Sequence, residues 1–132
     1  PLTVSESSNK DSVISLASEV LFDTGQDAVK AGAYQTLMKA NHLVRRYPQR
    51  KIRVEGHADN VKIDNAQFKN NTELSKARAQ AIMKFLTEKG QIDAGRISFA
   101  GFGDSQPRAS NDTEDGRRQN RRVEIILVKE GK

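Results

Sequence analysis

The 132-residue chain is basic, with a formal net charge of +5 at pH 7 and 36% hydrophobic residues, which suits one domain with its own core. It contains no cysteine, which excludes a disulfide framework, a thiolate nucleophile and a thiolate metal site, and no run of about 18 apolar residues that could span a membrane. Positive charge favours anionic partners, but aromatic residues are only 5% and no zinc-finger or RNA-binding pattern occurs, so we predict no nucleic-acid partner.

The N-terminal part of the chain predicts a linker followed by a strand. Residues 1–10 are polar and predict a linker end, which leaves residues 11–130 for the domain. Apolar residues recur from Val13 to Phe22 and predict the first strand. A turn is expected next, because Gly25 can adopt a positive φ.

The middle of the chain predicts helix, strand and helix. Apolar residues recur at helical spacing as far as Pro48, which predicts a first helix. The apolar row of that helix is Ala33, Leu37, Ala40 and Val44. Residues 51–55 alternate between charged and apolar, which predicts a half-buried strand. A second helix is expected to begin with Asn71 or Thr72 as its N-cap and to close at Gly90.

The C-terminal part predicts two more strands around a polar segment. Ile97 and Phe99 alternate as in a strand, and residues 104–120 read as a long loop in which one short helix begins near Asp112. The final strand is indicated by alternating Val123, Ile125 and Leu127. Because the long helices link strands, we predict an α/β (α+β) two-layer sandwich, a βαβαβ-type sheet with helices packed on it.

The second helix carries a charge within its apolar face. Measured from Leu74 at about 100° per residue, the apolar arc runs from about −60° at Ala77 to about +80° at Ile82, and Arg78 lies inside it near about +40°. An unpaired buried charge is costly, so Arg78 either extends its head past the rim of the core or binds an anion. A ligand carrying both signs would satisfy the second alternative, with an ammonium for Asp59 and a carboxylate for Arg78.

Metal binding and catalysis find little support in the sequence. His57 and Asp59 can share one side of an extended segment, but one histidine and one aspartate make a poor zinc site. This favours a histidine hydrogen-bonded within the turn, and we predict no metal and no other cofactor. A paired-carboxylate hydrolase would draw on Asp59, Asp64 and Glu73, which resemble ordinary loop residues. We therefore predict no catalytic residue.

Positive charge clusters immediately before the final strand. The cluster consists of Arg117, Arg118, Arg121 and Arg122. These arginines could tie down the preceding loop or reach an anionic ligand. By strand alternation Arg122 lies opposite the apolar row and on the side of Glu124, with which it can pair.

Four ordered segments together resemble the OmpA-like peptidoglycan-binding domain. They are residues 20–25 (VLFDTG), 54–60 (VEGHADN), 73–79 (ELSKARA) and 120–125 (NRRVEI). The resemblance runs from about residue 13 to residue 128 and is most similar to the periplasmic domain of MotB-type flagellar stator subunits. The long loop between Asp59 and Arg78 and the segment at residues 109–113 point to that subgroup.

The resemblance implies binding of peptidoglycan rather than catalysis. In the family the corresponding aspartate and arginine hold the zwitterionic end of meso-diaminopimelate in the stem peptide, which assigns this role to Asp59 and Arg78. The resemblance also implies pocket-wall positions for Phe22 and Asp23 and places Leu74 and Ser75 at the helix start beside the pocket. It implies a position near the glycan side for Arg122.

The resemblance also implies a cellular setting. It implies that the chain anchors a flagellar stator to the cell wall, as the periplasmic domain of an inner-membrane protein. A membrane helix would lie upstream, a MotA-type subunit would be the partner, and the domain would act as a homodimer. Two alternatives stay open: an OmpA- or Pal-type outer-membrane anchor and, less favoured, a peptidoglycan hydrolase.

Overall fold

A computed structural model describes residues 2–7, 10–63 and 65–129. Within these residues five strands form one mixed sheet in the order β1-β2-β5-β3-β4, with β3 and β4 parallel and the other neighbours antiparallel. The strands are β1 (Leu2–Glu6), β2 (Ser12–Ala17), β3 (Ile52–His57), β4 (Ile97–Gly101) and β5 (Arg122–Leu127). The α-helices are α1 (Ser18–Leu21), α2 (Tyr34–Arg45), α3 (Asn71–Glu88) and α4 (Glu114–Asn120). The predicted α/β class is confirmed.

The core lies between one face of the sheet and the two long helices. The predicted apolar row of α2 is fully buried, as are the inward positions of the central strands. From the sheet these positions are Ile14, Leu16, Ile52, Val54, Val123, Ile125 and Leu127. Along β2, β3 and β5 they alternate with residues of the second face, several of which are also buried, so the period-2 pattern of the sequence marks the apolar face and not the burial of each residue. Among the described residues, no helix is both long and apolar enough to cross a bilayer.

Two glycines let α3 lie unusually close to the sheet. A Cβ atom on Gly56 would lie 2.0 Å from the carbonyl oxygen of Ser75, and one on Gly101 would lie 2.3 Å from the backbone nitrogen of Lys76. Neither glycine has space for a side chain, because the opposing atoms belong to the helix backbone. The first turns of α3 are therefore fixed against the C-terminal ends of β3 and β4.

The first residues of the chain belong to the sheet, so the predicted linker end is wrong for Leu2–Glu6. This segment pairs antiparallel with β2 over its whole length, with Leu2 opposite Leu16. Its residues are mostly exposed, because an edge strand is held on one side only, by backbone hydrogen bonds. Backbone pairing does not require apolar side chains, so the polar composition of the segment gave no indication of a strand. Residues 1, 8 and 9 of the predicted linker, and residue 130 at the predicted domain end, lie outside the described residues.

Two further boundaries differ from the sequence-based expectation. The predicted first strand stops at Ala17, because the next residues turn into α1 and Phe22 then returns to an extended backbone that bridges Val29. The N-cap of α3 is Asn70, one position before the predicted candidates, and its side chain accepts a hydrogen bond from the Glu73 N–H at 2.9 Å. The predicted turn at Gly25 is confirmed, with φ of 71°.

Candidate functional site

A cleft of about 360 Å³ opens where β2 and β3 end and β5 begins. Its lining comes from four separate stretches, within residues 18–25, 58–63, 71–78 and 114–121. Carboxylates and guanidinium groups both line it, together with apolar side chains. A concave site with opposite charges and an apolar wall suits a zwitterionic ligand with an aliphatic body.

Asp59 lies at the inner end of the cleft and is already paired. It lies two residues after the end of β3 and is only 6% exposed. One carboxylate oxygen, Oδ1, accepts a hydrogen bond from the Val61 N–H at 3.0 Å, and the other lies 2.7 Å from Nη1 of Arg121. The second terminal nitrogen of Arg121 lies 2.7 Å from Oε2 of Glu114. One guanidinium thus bridges two carboxylates at this end of the cleft.

The electrostatics agree with this geometry. Burial alone would lower the pKa of the Arg121 guanidinium, but the hydrogen bonds to Glu114 and Asp59 outweigh it and raise that pKa. The same contact, with Arg117 contributing, lowers the pKa of the Glu114 carboxyl. From the sequence, Arg121 was predicted only as a member of the basic cluster. Its position next to Asp59 follows from the pairing of β5 with β3, which the sequence pattern does not reveal.

Arg78 reaches the cleft and also holds its wall together. Its Nε donates to the carbonyl of Gln26 at 2.8 Å and its Nη2 donates to the carbonyl of Asp23 at 3.1 Å. The guanidinium carbon lies 4.9 Å from the centroid of the Phe22 ring. Burial lowers the pKa of Arg78 to about 10, with the charge of Asp27 acting in the opposite direction. Within the described part of the chain its Nη1 has no hydrogen-bond partner, so one nitrogen is left to donate to an anionic ligand.

The other predicted pocket residues divide into two groups. Phe22 and Leu74 line the cleft as its apolar wall. Asp23 and Ser75 do not line it. The exposed carboxylate of Asp23 lies 4.0 Å from Lys30, and its backbone carbonyl accepts a hydrogen bond from Arg78. Ser75 is buried, and its hydroxyl accepts a hydrogen bond from the Gly103 N–H at 2.9 Å. These two side chains therefore support the neighbouring segments of the cleft.

Arg122 lies on the second face of the sheet, away from the cleft lining. Its Nε is 2.7 Å from Oε2 of Glu124, which confirms the pairing expected from strand alternation. Its other contacts go to the backbone carbonyls of Gln106 and Asn120, both at 3.2 Å. A direct role for Arg122 in ligand binding stays a prediction.

The other arginines of the basic cluster are paired with acidic residues on their own helix. Nε of Arg117 is 3.2 Å from Glu114, and Nη1 of Arg118 is 3.0 Å from Asp115. With Arg121 paired as well, α4 presents alternating charges to solvent. This arrangement is unlike the open positive surface on which polyanion binding depends.

A second polar cluster, formed by Glu55, His57 and Glu124, has metal-binding residue types. Their ligand atoms lie within 4.8 Å of one another. Each is already engaged: Nε2 of His57 contacts Glu55 at 3.1 Å, and the two glutamates pair with Arg53 and Arg122. The histidine thus bonds within its strand rather than within the predicted turn. Burial acts to raise the pKa of Glu55, but hydrogen bonds from His57 and Arg53 outweigh it and lower that pKa.

Of the three carboxylates considered for hydrolysis, the two that the structure describes have other partners. Glu73 accepts a hydrogen bond from the Lys69 N–H at 3.2 Å at the exposed start of α3, and Asp59 is paired with Arg121. Asp64 lies outside the described residues. The absence of catalytic residues stays a prediction.

Comparison with known proteins gives consistent matches. The profile of the OmpA family matches residues 21–121. Motility protein B of Bacillus subtilis is 34% identical over 119 residues, which are 90% of this chain and 46% of that protein. The chain spans about half the length of the curated relatives it matches.

Solved structures match over nearly the whole chain. The structure of the cell wall anchor of the T6SS from Pseudomonas aeruginosa superposes with a TM-score of 0.88 and 31% identity, covering 98% of this chain and 88% of that one. The periplasmic domain of Helicobacter pylori MotB gives a TM-score of 0.87 and 26% identity, covering 99% and 83%. Neither the matched family nor these relatives indicate an enzyme.

Proposed function

Because the chain belongs to the OmpA family, we propose that it binds peptidoglycan without cleaving it, through the zwitterionic end of meso-diaminopimelate in the stem peptide. The observation that carries this proposal is the presence of Asp59 and Arg78 in one cleft. Asp59 would receive the ammonium group and the free nitrogen of Arg78 would receive the carboxylate. Phe22 and Leu74 would contact the methylene chain between these groups.

The decisive experiment compares two stem tetrapeptides that differ only in their third residue, which is meso-diaminopimelate in one and L-lysine in the other. In the tetrapeptide the α-amino and α-carboxyl groups of this residue are both in peptide bonds. L-Lysine then presents only its side-chain ammonium, whereas meso-diaminopimelate presents an ammonium and a carboxylate, so the lysine peptide has no side-chain carboxylate for Arg78. We expect calorimetric titration to show tighter binding of the meso-diaminopimelate peptide by about tenfold or more, because a hydrogen bond to a charged group contributes about 1.5–3 kcal/mol. Equal affinities would remove Arg78 from the proposed site.

Substitutions in α3 and sedimentation with isolated sacculi extend the test to intact peptidoglycan. Arg78→Ala should lose the preference for meso-diaminopimelate and should sediment poorly with isolated sacculi. Lys84→Ala, which removes an exposed charge from the same helix, is the matched control. Soluble fragments released from sacculi by the wild-type domain would instead support the hydrolase.

We further propose that the domain anchors a flagellar stator to the cell wall from the periplasm. Support comes from the relatives named motility protein B and MotB, and from the cell wall anchor of another envelope machine. The complete protein would then be an inner-membrane protein that works with a MotA-type partner as a homodimer. Sedimentation of the domain at increasing concentration tests the homodimer.

Chromosomal Asp59→Asn distinguishes the stator from the outer-membrane alternative. Loss of swimming with an intact envelope would support the stator. Release of outer-membrane vesicles with normal swimming would support the OmpA- or Pal-type anchor instead.

A further inference from the structure

Arg121 holds the position at Asp59 that the ligand ammonium would need. The Asp59 side chain is 9% exposed, and each of its oxygens already has a donor, from Val61 and from Arg121. A ligand cation that approaches from the cleft therefore meets a carboxylate whose charge is already neutralised. The Arg121 side chain, at 28% exposure, is more accessible than its partner and lines the same cleft.

Arg121 also has a second carboxylate at the same distance. Glu114 lies 2.7 Å from its Nη2, and the Glu114 side chain is 55% exposed. An arginine that leaves Asp59 can thus stay beside α4 and keep one of its two ion pairs. The planar guanidinium suits this arrangement, because its two terminal nitrogens can serve different carboxylates at once.

We propose that Arg121 is a built-in competitor for the ligand ammonium, and that ligand binding is an exchange in which Arg121 gives up Asp59 and stays with Glu114. The inference rests on the proposed function, since it requires an ammonium ligand at Asp59. Arg121 and Glu114 then determine the affinity for the ligand. A stronger ion pair between Arg121 and Asp59 weakens ligand binding, and a stronger ion pair between Arg121 and Glu114 strengthens it.

The exchange gives opposite outcomes for two charge-removing substitutions. Arg121→Gln removes the competitor and should tighten binding of free meso-diaminopimelate by about two- to fivefold. Glu114→Gln removes the alternative partner and should weaken binding by a similar factor. In the double variant the Glu114 substitution should have no further effect, because Glu114 acts through Arg121.

Two controls keep this test specific. Arg118→Gln removes one positive charge from the same helix at a residue paired with Asp115, and it should leave the affinity unchanged. Arg121→Lys keeps the charge but cannot hold both carboxylates, so its affinity should lie between those of the wild type and Arg121→Gln. Each variant's fold is verified by its thermal unfolding curve and amide NMR spectrum.

The outcomes separate the inference from the proposed function. Weaker binding by Arg121→Gln, with the wild type still binding, would show that Arg121 contacts the ligand itself and would overturn the exchange while leaving the proposed function intact. An additive effect of Glu114→Gln in the double variant would also overturn it. Failure of the wild type to bind either meso-diaminopimelate or sacculi would reject the proposed function and the inference with it.

Discussion

Arg78 has a structural role in the fold and a second, ligand-binding role in the proposed function. On the sequence alone, two explanations for a charge in an apolar arc stayed open, a snorkelling side chain and an anion-binding one. In the structure the guanidinium ties the carbonyls of Asp23 and Gln26 to α3 and also lines the cleft. A substitution at Arg78 should therefore change both stability and affinity.

We expect Arg78→Ala to lower the free energy of unfolding by about 1–3 kcal/mol, because it removes two hydrogen bonds from a charged donor and the contact with Phe22. Urea unfolding measures this loss, with Lys84→Ala as the control. Arg78→Lys should recover part of the stability but little of the selectivity for meso-diaminopimelate, since lysine lacks the fork of donors. Full stability with lost binding would assign Arg78 to the ligand alone.

The residue scale also marks the limit of sequence-based prediction for the cleft. Asp59 and Arg78 were predicted because the carboxylate ends a strand and the guanidinium interrupts a helical pattern. Arg121 was missed because neither strand alternation nor helical periodicity tells which strands are neighbours. Its contact with Asp59 requires β5 to pair with β3, a pairing between distant parts of the chain.

At the scale of elements, the placement of α3 decides the shape of the cleft. This helix carries Leu74 and Arg78, and its first turns lie against Gly56 and Gly101 without space for a Cβ atom. The sequence predicted the helix from its periodicity and its closing glycine. It did not predict how closely the helix approaches the sheet, because a glycine at the end of a strand also suits a simple turn.

We expect Gly56→Ala to destabilise the domain by about 3 kcal/mol or more, since the new methyl group would meet the Ser75 carbonyl and displace α3. Gly32→Ala is the matched control: nothing lies within 4 Å of its added Cβ, so its stability should be nearly unchanged or slightly higher. Thermal unfolding of the two variants gives the comparison. Equal unfolding temperatures would mean that the helix adjusts without cost.

At the scale of the whole molecule, the sheet has an apolar face and a polar one. The apolar alternation in β3 and β5 was enough to predict the first face. The buried polar network of Glu55, His57, Arg122 and Glu124 on the second face was not predicted as a network, because it depends on strand order. The edge strand β1 was not predicted either, because it is held by backbone pairing with β2, and a polar sequence pattern does not indicate such pairing.

This polar face should make stability depend on pH. A carboxyl whose pKa is lower in the folded state than its ordinary 4.5 stabilises the fold above that value and loses this contribution as the pH falls through the folded pKa. We therefore expect the wild type to lose stability below about pH 4.5 more steeply than Glu55→Gln does. Urea unfolding between pH 7 and about pH 3 measures both slopes. Exposed Glu88→Gln is the control and should follow the wild type.

The position of β5 has a consequence for how the protein is made. Among the described strands β5 comes latest in the chain, yet it lies in the middle of the sheet between β2 and β3. The two halves of the sheet therefore cannot join until residues 122–127 have left the ribosome. The cleft is lined by residues from both halves, so it is incomplete in a nascent chain that lacks β5. An incomplete chain would expose the inner edges of both half-sheets, and such chains are the forms that chaperones and proteases would have to recognise.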